Sequence, residues 1–330
     1  MKIVGSKGLR LIVSSLVCLP AIVVMFAPFV YAFTPFGSYQ WLIEKSAQIL
    51  WVYFFSAIIL LIFSKKYWMF LSFGCCAALC VFMKNMSNDA FDYAEKTDDL
   101  TIKVANFNLS SVTDSLEAVA KNIDNCEADL ISLQEVSPME DSILRLRLQK
   151  NYPNVYSMKS KEYYGMMVFS KYPFEKNDTF SYHGIPNIIG CINIDKDNYK
   201  LHFISSYLLP PFNATAYENF RGHLGTIAYK VKALNVPMIT MGTYSSVPWS
   251  PEIKDFKDIG ELSDSRLGFA PTFPNNAPIM FQVPYDHIFH SKHLKCLDFK
   301  TIKTSSKGHM GIEGIFQFVK NNENLSTTKK

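Results

Sequence analysis

The sequence predicts an α/β sandwich with much antiparallel sheet, preceded by an N-terminal region of three membrane-spanning helices. Two observations predict the sandwich. Strand-like and helix-like segments are mixed along residues 101–319, and several strand-like segments follow one another without a helix between them. That succession does not fit a doubly wound sheet, in which helices alternate regularly with strands. A third observation sets residues 1–84 apart, because long stretches there carry almost no charge.

The N-terminal region contains three apolar runs, at residues 10–33, 47–64 and 67–83. Each is about as long as a helix must be to cross a hydrocarbon core of about 30 Å. Buried core helices are the alternative for all three, and a signal peptide is the alternative for the first. We favour membrane insertion because the first run is too long for a signal peptide and two further runs follow it. The polar residues 85–100 predict a linker, and residues 320–330 a polar tail.

The positive charges that flank the apolar runs predict the orientation in the membrane, because cytoplasmic loops carry an excess of Lys and Arg. Cations precede the first run and separate the second from the third, which places both positions on the same side. We therefore expect a bacterial inner-membrane protein with a cytoplasmic N-terminus and an extracytoplasmic domain. The cations concerned are Lys2, Lys7, Arg10, Lys65 and Lys66.

The formal net charge of +4 is modest, and part of it belongs to the membrane flanks. There is no basic stripe, so the charge pattern does not support a nucleic-acid partner. Four of the seven cysteines lie within the apolar runs, where they act as small apolar residues. The other three are too widely spaced for a zinc site or a disulfide framework, although one pair could bridge in an extracytoplasmic domain. They are Cys126, Cys191 and Cys296.

Periodicity predicts the elements of residues 101–319, since alternating or short apolar segments indicate strands and 3.6-residue spacing indicates helices. The expected strands are 101–109, 129–136, 154–158, 165–170, 188–195, 200–208, 236–242, 286–290, 297–302 and 311–318, and the expected helices are 112–125, 139–150 and 214–234.

Several polar side chains lie at the ends of these strands or in the loops beside them. Each alone has a plain structural explanation as a turn residue, a cap or a helix-entry charge. Loops beyond the ends of buried strands are, however, where α/β folds place their chemistry. The shared position therefore predicts one functional site. The residues are Asn108, Glu135, Tyr207, Thr243, Ser245, Asp286 and His309.

Six segments, in this order, resemble the motifs of the endonuclease/exonuclease/phosphatase superfamily. They are VANFNL (104–109), DLISLQEV (129–136), YGMMVFSKYPF (164–174), VPMITMGTYSSVPWSP (236–251), YDHIFHS (285–291) and KGHMGI (307–312). The resemblance covers residues 101–319. It implies a four-layer α/β sandwich, in which two packed mixed sheets are flanked by helices. It also implies a relation to magnesium-dependent hydrolases of phosphoric esters.

The resemblance assigns roles to four residues that the sequence retains. It implies that Asn108 and Glu135 bind a divalent cation, magnesium or manganese, and that Asp286 orients His309, which would stabilise the developing charge on a phosphate. One carboxylate and one amide leave a weak metal site, because Mg²⁺ is a hard ion that prefers carboxylates.

Four further positions depart from the family pattern. The water-activating Asp is replaced by Thr243, and the phosphate-positioning Asn by Ser245. A His is replaced by Tyr207, and the late metal-binding Asp by Gly308. A threonine hydroxyl is not a base at neutral pH, and loss of a general base typically costs about 10²–10⁴ in rate. The resemblance therefore implies impaired catalysis.

The remaining acids, histidines and the Arg of the long helix form no recognisable site by spacing. The histidines are expected in the core or on the surface, and the Arg in a structural ion pair. Any of the acids could in principle supply a replacement base, but the sequence does not place them. These residues are His287, His290, His293, Asp255, Asp258, Glu261, Asp264, Asp298 and Arg221.

The sequence thus predicts a membrane-anchored, extracytoplasmic domain with a degenerate hydrolytic site, a pseudoenzyme that binds a phosphate-bearing ligand or a protein partner. Two alternatives stay open. One is an active, divergent metal-dependent phosphoesterase acting on a phospholipid headgroup or a nucleotide. The other is a structural partner in a membrane assembly.

Overall fold

The computed structural model describes residues 6–30, 43–63, 65–88, 90–110, 116–159, 164–194, 199–304 and 308–319. Some sequence predictions lie outside the described residues. They concern Lys2, residues 31–33 and 64 of two apolar runs, residues 112–115 of a predicted helix, and the predicted tail at 320–330.

Three N-terminal helices correspond to the apolar runs: α1 (Ser6–Val30), α2 (Ser46–Ile62) and α3 (Lys66–Ser87). Only two, over Gly8–Phe26 and Lys66–Ser87, are long and apolar enough to cross a membrane. Helix α2 has 17 residues. At 1.5 Å per residue it spans about 26 Å, short of a core of about 30 Å. The expectation of three membrane-length helices is therefore corrected to two. Length and composition support a membrane region only weakly, because signal sequences and core helices share them.

The rest of the described chain forms two six-stranded mixed sheets. The strands are β1 (Thr101–Asn108), β2 (Leu130–Gln134), β3 (Asn154–Met158), β4 (Met166–Ser170), β5 (Phe174–Tyr182), β6 (Ile185–Asn193), β7 (Lys200–Tyr207), β8 (Met238–Thr243), β9 (Leu262–Asp264), β10 (Asp286–Ser291), β11 (Leu294–Ile302) and β12 (Gly311–Phe318). The first sheet has the order β11-β12-β1-β2-β4-β3, and the second the order β5-β6-β7-β8-β10-β9.

Helices cover the outer face of each sheet. Helices α4 (Leu116–Asn125) and α5 (Pro138–Leu148) pack on the first sheet, and α6 (Ala214–Leu234) and α7 (Pro251–Gly260) on the second. One apolar cluster fills the space between the sheets, with Val104, Phe203 and Ile288 fully buried. Two further clusters lie between each sheet and its helices. This is the expected sandwich of two mixed sheets flanked by helices.

Side-chain caps fix the starts of the helices that follow strands β2 and β8. Ser137 and Glu140 form a reciprocal capping box at α5. Ser250 accepts a hydrogen bond from Ile253 N at 3.2 Å, and Pro251 takes the first helical position of α7. The sequence predictions do not include α7, although Ser followed by Pro is a helix-start signal. They also missed the edge strand β5 and the three-residue strand β9.

Strand register brings the ends of the central strands together. In the parallel pair β7–β8, Tyr207 lies opposite Thr243, and in the antiparallel pair β8–β10, Thr243 lies opposite Asp286. In the other sheet, Asn108 at the end of β1 lies opposite Gln134 at the end of β2. All these positions fall at one edge of the sandwich, where the predicted site residues meet.

Candidate functional site

A continuous chain of side-chain hydrogen bonds links five of the predicted site residues. Thr243 Oγ1 donates to Asp286 Oδ1 at 2.7 Å and accepts from Asn108 Nδ2 at 2.9 Å. Asn108 Nδ2 also donates to Glu135 Oε1 at 2.9 Å. His309 Nδ1 lies 2.7 Å from Asp286 Oδ2. We call these residues the Thr243 network. Thr243 lies at its centre and joins Asn108 and Glu135 to the pair of Asp286 and His309.

The two ends of the Thr243 network differ in exposure. Asn108, Thr243, Asp286 and His309 are buried, whereas Glu135 is half-buried. Glu135 has a left-handed backbone, with φ 56°, directly after strand β2. Such a conformation is uncommon for residues other than glycine, and it turns the chain so that the carboxylate faces Asn108. Glu135 is therefore the solvent-facing end of an otherwise enclosed network.

Asp286 and His309 form a buried ionic pair. Burial acts to raise the pKa of Asp286, but the charge and the hydrogen bond of His309 outweigh it and hold that pKa below its ordinary value. Burial acts to lower the pKa of His309, but the Asp286 carboxylate outweighs it and raises that pKa. The pair thus favours a carboxylate and an imidazolium, which together carry no net charge.

Three residues that sequence reasoning did not single out hold Asp286 and His309 in place. Thr272 Oγ1 accepts from the Asp286 backbone N at 3.2 Å. Arg266 Nη2 donates to the Asp286 carbonyl at 2.6 Å. The Phe273 ring lies 4.7 Å from the His309 ring. All three come from the irregular segment between β9 and β10, where periodicity carries no signal that could have identified them.

Ser245 does not take part in the network. Its Oγ donates to the Leu208 carbonyl at 2.7 Å, and its φ is 49°. The preceding Gly242 has φ 152°, and a Cβ there would lie 1.9 Å from the Ser206 carbonyl, so this position admits only glycine. The loop after β8 is therefore tightly folded, and the Ser245 hydroxyl hydrogen-bonds to the backbone of the neighbouring segment.

Tyr207 lies beside the solvent-facing end of the network. Its hydroxyl lies near the Glu135 carboxylate, and its ring lies 6.1 Å from that of Tyr164. Burial, followed by the negative charge of Glu135, raises the pKa of Tyr207. The phenol therefore stays protonated, and it supplies no positive charge for a phosphate.

The close packing around position 308 leaves no room for a side chain. Gly308 is buried, and its carbonyl accepts from Asn275 N at 2.8 Å. A Cβ at this position would lie 2.4 Å from the Ser110 carbonyl oxygen. An aspartate could be accommodated here only if the backbone moved. The backbone conformation of this loop therefore excludes a side chain at the position where the family pattern has an Asp.

The donor set of the Thr243 network does not fit a resident magnesium or manganese ion. Asn108 turns its amide nitrogen towards Glu135 and Thr243, while its Oδ1 accepts from Ser110 N at 2.8 Å. Mg²⁺ requires oxygen ligands, and Glu135 is the one carboxylate on this side of the network. Among the described residues there is no group of three or more His, Cys, Asp or Glu able to hold a metal ion.

In the described part of the chain, none of the other candidate acids hydrogen-bonds to a side chain of the network. Asp258 pairs with Lys254 at 2.5 Å, Glu261 with Lys292 at 3.1 Å, and Asp264 lies 3.8 Å from His287 Nδ1 in the core. Asp255 lies on α7, and Asp298 lies on the edge strand β11 of the first sheet.

The remaining histidines, Arg221 and the cysteines also lie apart from the site. Of the histidines, His287 and His290 are buried in the core and His293 is on the surface. Arg221 lies over the Tyr217 ring at 5.9 Å. The seven cysteines are free.

The comparisons agree with this architecture. The model of the Endonuclease/Exonuclease/phosphatase family matches residues 104–306. A search of curated proteins found no match. Among solved structures, the endonuclease/exonuclease/phosphatase family proteins of Bacteroides thetaiotaomicron and Bacteroides vulgatus are each 15% identical to this chain, with a TM-score of 0.57. They match 68% and 67% of this chain and 100% of their own chains.

A truncated Caenorhabditis elegans TDP2 is 18% identical, with a TM-score of 0.55, and the match covers 66% of this chain and 98% of that one. At these identities the structural matches show a shared fold. The family match spans more than half of the chain, from β1 to just beyond β11, and includes all of the Thr243 network except His309. The chain belongs to the endonuclease/exonuclease/phosphatase family.

Proposed function

We propose that this protein is a membrane-anchored pseudoenzyme of its family, which binds a phosphate-bearing ligand without efficient hydrolysis. The observation that carries the proposal is the position of Thr243. Its hydroxyl donates to Asp286 and accepts from Asn108, so it acts as a neutral connector at the position where a carboxylate would activate water. A threonine hydroxyl cannot take a proton from water at neutral pH.

The placement of the carboxylates supports the same proposal. Within the network, Asp286 is engaged by both His309 and Thr243, and Glu135 by Asn108. The acids that could have replaced the base are engaged elsewhere or lie on other elements, as described above. An active phosphoesterase would need a carboxylate that is free to accept a proton within about 2.6–3.2 Å of the attacking water.

Binding of an anion is supported by the pair of Asp286 and His309. His309 is held as an imidazolium by Asp286, and the pair is neutral overall. Both nitrogens of an imidazolium donate, so Nε2 remains a charge-assisted donor for a phosphate while Nδ1 is paired with Asp286. Phe273, which packs against His309, also lies 6.0 Å from the Tyr285 ring, and Tyr285 Oη donates to Glu44 Oε2 at 3.0 Å. The site therefore adjoins the segment that precedes α2, and we propose that its ligand is presented close to the membrane surface.

Membrane anchoring is supported by the outer faces of the apolar helices. Large apolar side chains point outwards there; examples are Leu11 (69% exposed), Val52 (64%) and Phe70 (66%). A soluble protein rarely leaves so continuous an apolar surface in water, whereas lipid would cover it. The flanking cations favour a cytoplasmic N-terminus. An extracytoplasmic site in a bacterial inner membrane needs an odd number of crossings, so the proposal includes a crossing by the 17-residue α2 as well, with local thinning of the bilayer to match its length.

The test is hydrolysis of bis(p-nitrophenyl) phosphate and p-nitrophenyl phosphate by the full chain in detergent, with Mg²⁺ or Mn²⁺. We expect no turnover that depends on the site. Metal-dependent turnover that disappears in Glu135→Ala or His309→Ala would overturn the proposal and support the active phosphoesterase. Isothermal titration with inorganic phosphate should show binding that is weakened by His309→Gln.

A matched pair of variants asks whether the missing base limits hydrolysis. Thr243→Asp restores a carboxylate, and Thr243→Asn has nearly the same shape without the charge. If the base is limiting, Thr243→Asp should raise the rate by up to about 10²-fold and Thr243→Asn should not. Alkaline carbonate extraction of membranes tests the anchor separately, and the intact chain should stay in the pellet.

A further inference from the structure

The start of helix α2, the end of helix α3 and the domain of residues 101–319 line a partly open cavity. Its volume is about 300 Å³, which is within the range of small-molecule sites. We call it the junction cavity and define it by six of its lining residues. They are Leu50 and Trp51 of α2, Met83 and Lys84 of α3, and Trp249 and Phe269 of the domain.

The walls of the junction cavity are fixed by direct contacts between helices and domain. Trp249 Nε1 donates to the Ile43 carbonyl at 2.9 Å and to Ser46 Oγ at 3.0 Å. Asn88 Nδ2, just after α3, donates to the carbonyls of Asp264 at 2.8 Å and Arg266 at 3.1 Å. The cavity is therefore a built feature of the interface, anchored on both sides.

The lining of the cavity is amphipathic. The Trp249 and Phe269 rings are stacked at 6.1 Å and form an apolar wall with Met83. Lys84 Nζ donates to the Leu267 carbonyl at 3.0 Å and to the Ala90 carbonyl. Among the described residues no carboxylate lies within 4.0 Å of this ammonium group. An apolar wall next to a cation without a counter-charge complements a molecule with a hydrocarbon part and an anionic group.

The position of the cavity selects the occupant. Lys84 lies in the last turn of α3, and Trp51 lies about one and a half turns from the start of α2, so both are at the same end of the helix pair. If the helices cross a bilayer, that end is at the headgroup level, where Trp and Lys are favoured and where lipid phosphates lie. This step rests on the membrane anchoring proposed above.

We propose that the junction cavity binds a phospholipid, with the upper part of one acyl chain against Trp51, Met83 and Trp249 and the phosphate on Lys84. Trp249 belongs to the loop that follows Thr243, so a bound lipid would contact the segment that carries the connector of the Thr243 network. The lipid would thereby stabilise the docking of the domain on its helices.

The test uses the full chain in detergent with the two cavity tryptophans, Trp51 and Trp249, as the fluorophores, after Trp41 and Trp68 are changed to Phe. Phosphatidylglycerol with brominated acyl chains is the probe, because bromine quenches a tryptophan that it contacts. We expect saturable quenching, a tenfold or greater weakening in Lys84→Gln, and recovery in Lys84→Arg. Lys66→Gln, at the opposite end of the same helix, is the matched control and should bind like the parent.

Three results would overturn the proposal: quenching that does not saturate, equal quenching in Lys84→Gln and Lys66→Gln, or equal affinity for brominated diacylglycerol, which has no phosphate. Thermal unfolding of each variant shows whether a loss of binding reflects misfolding, and Lys84→Arg keeps the charge if Lys84→Gln does not fold. The carbonate extraction and the hydrolysis assay report on the anchor and the site. Their failure is therefore distinguishable from failure of lipid binding.

Discussion

Replacement of Thr243 by Val tests whether the hydroxyl is a structural connector. Valine has nearly the same shape, so the packing of this buried position is preserved. What is lost is the 2.7 Å hydrogen bond to Asp286 Oδ1 and the 2.9 Å acceptor for Asn108 Nδ2. Asp286 would keep His309, and Asn108 would keep Glu135.

The magnitude follows from the group that loses its partner. A hydrogen bond to a buried charged group contributes about 1.5–3 kcal/mol, and Asp286 is only 1% exposed. We therefore expect Thr243→Val to cost about 2–3 kcal/mol. Thr243→Ser keeps the hydroxyl and loses one methyl group, which costs about 1 kcal/mol. Serine is thus the matched control, although it removes more apolar volume.

The assay is thermal unfolding of the full chain in detergent, followed by intrinsic fluorescence. For a domain of 150–250 residues, 1 kcal/mol shifts Tm by about 2–4 °C. Thr243→Val should lower Tm by about 4–12 °C, and Thr243→Ser by about 2–4 °C. If valine proves as stable as the parent, or more stable than serine, the hydroxyl is not holding the network together and the argument for a connector fails.

Three further predictions follow from the same contacts. In the folded chain His309 should titrate above 6.5, because Asp286 stabilises its charged form. The pair's stabilisation is complete between about pH 3.8 and 6.5; it is lost as pH rises through the raised pKa of His309 and as pH falls through the lowered pKa of Asp286. NMR of the imidazole checks the pKa of His309, and Asp286→Asn should move the titration downwards. Burial lowers the pKa of His223 to about 4. As pH falls from about 6.5 to 4, His223 should therefore lower the free energy of unfolding by at most about 3 kcal/mol. His223→Gln should reduce this loss of stability, measured by acid unfolding. Gly308→Asp should lower Tm more than Gly308→Ala, since both meet the Ser110 carbonyl and the larger side chain also brings a charge; an unchanged Tm in both would contradict the packing argument.

Much of the sandwich could be predicted from local pattern. Strands such as β2 and β8 are short apolar runs that are buried on both faces, and α6 has regular helical spacing, so sequence reasoning located them. Strand β5 was missed because it is an edge strand with a largely exposed polar face, which removes the apolar run that marks a buried strand. Helix α2 was expected to span a membrane, but the helix formed in this run is only 17 residues long.

The candidate site was only partly predictable. The order of motifs identified Asn108, Glu135, Asp286 and His309, and the structure brings all four into one network through Thr243. The motifs did not identify the residues of the irregular segment between β9 and β10 that contact Asp286 and His309. Thr272, Arg266 and Phe273 were not predicted, because no periodic pattern links them to the site.

The sequence alone determined the class of fold, the strands that end at the site, and the replacement of the general-base carboxylate by Thr243. These depend on residue type and short-range spacing, which a single chain displays directly. Only the tertiary structure decided where the Thr243 and Ser245 hydroxyls point, why Gly308 admits no side chain, and how Trp249 docks on the apolar helices. Those outcomes depend on atoms that are far apart in the chain and become neighbours only when the two sheets and the helices pack.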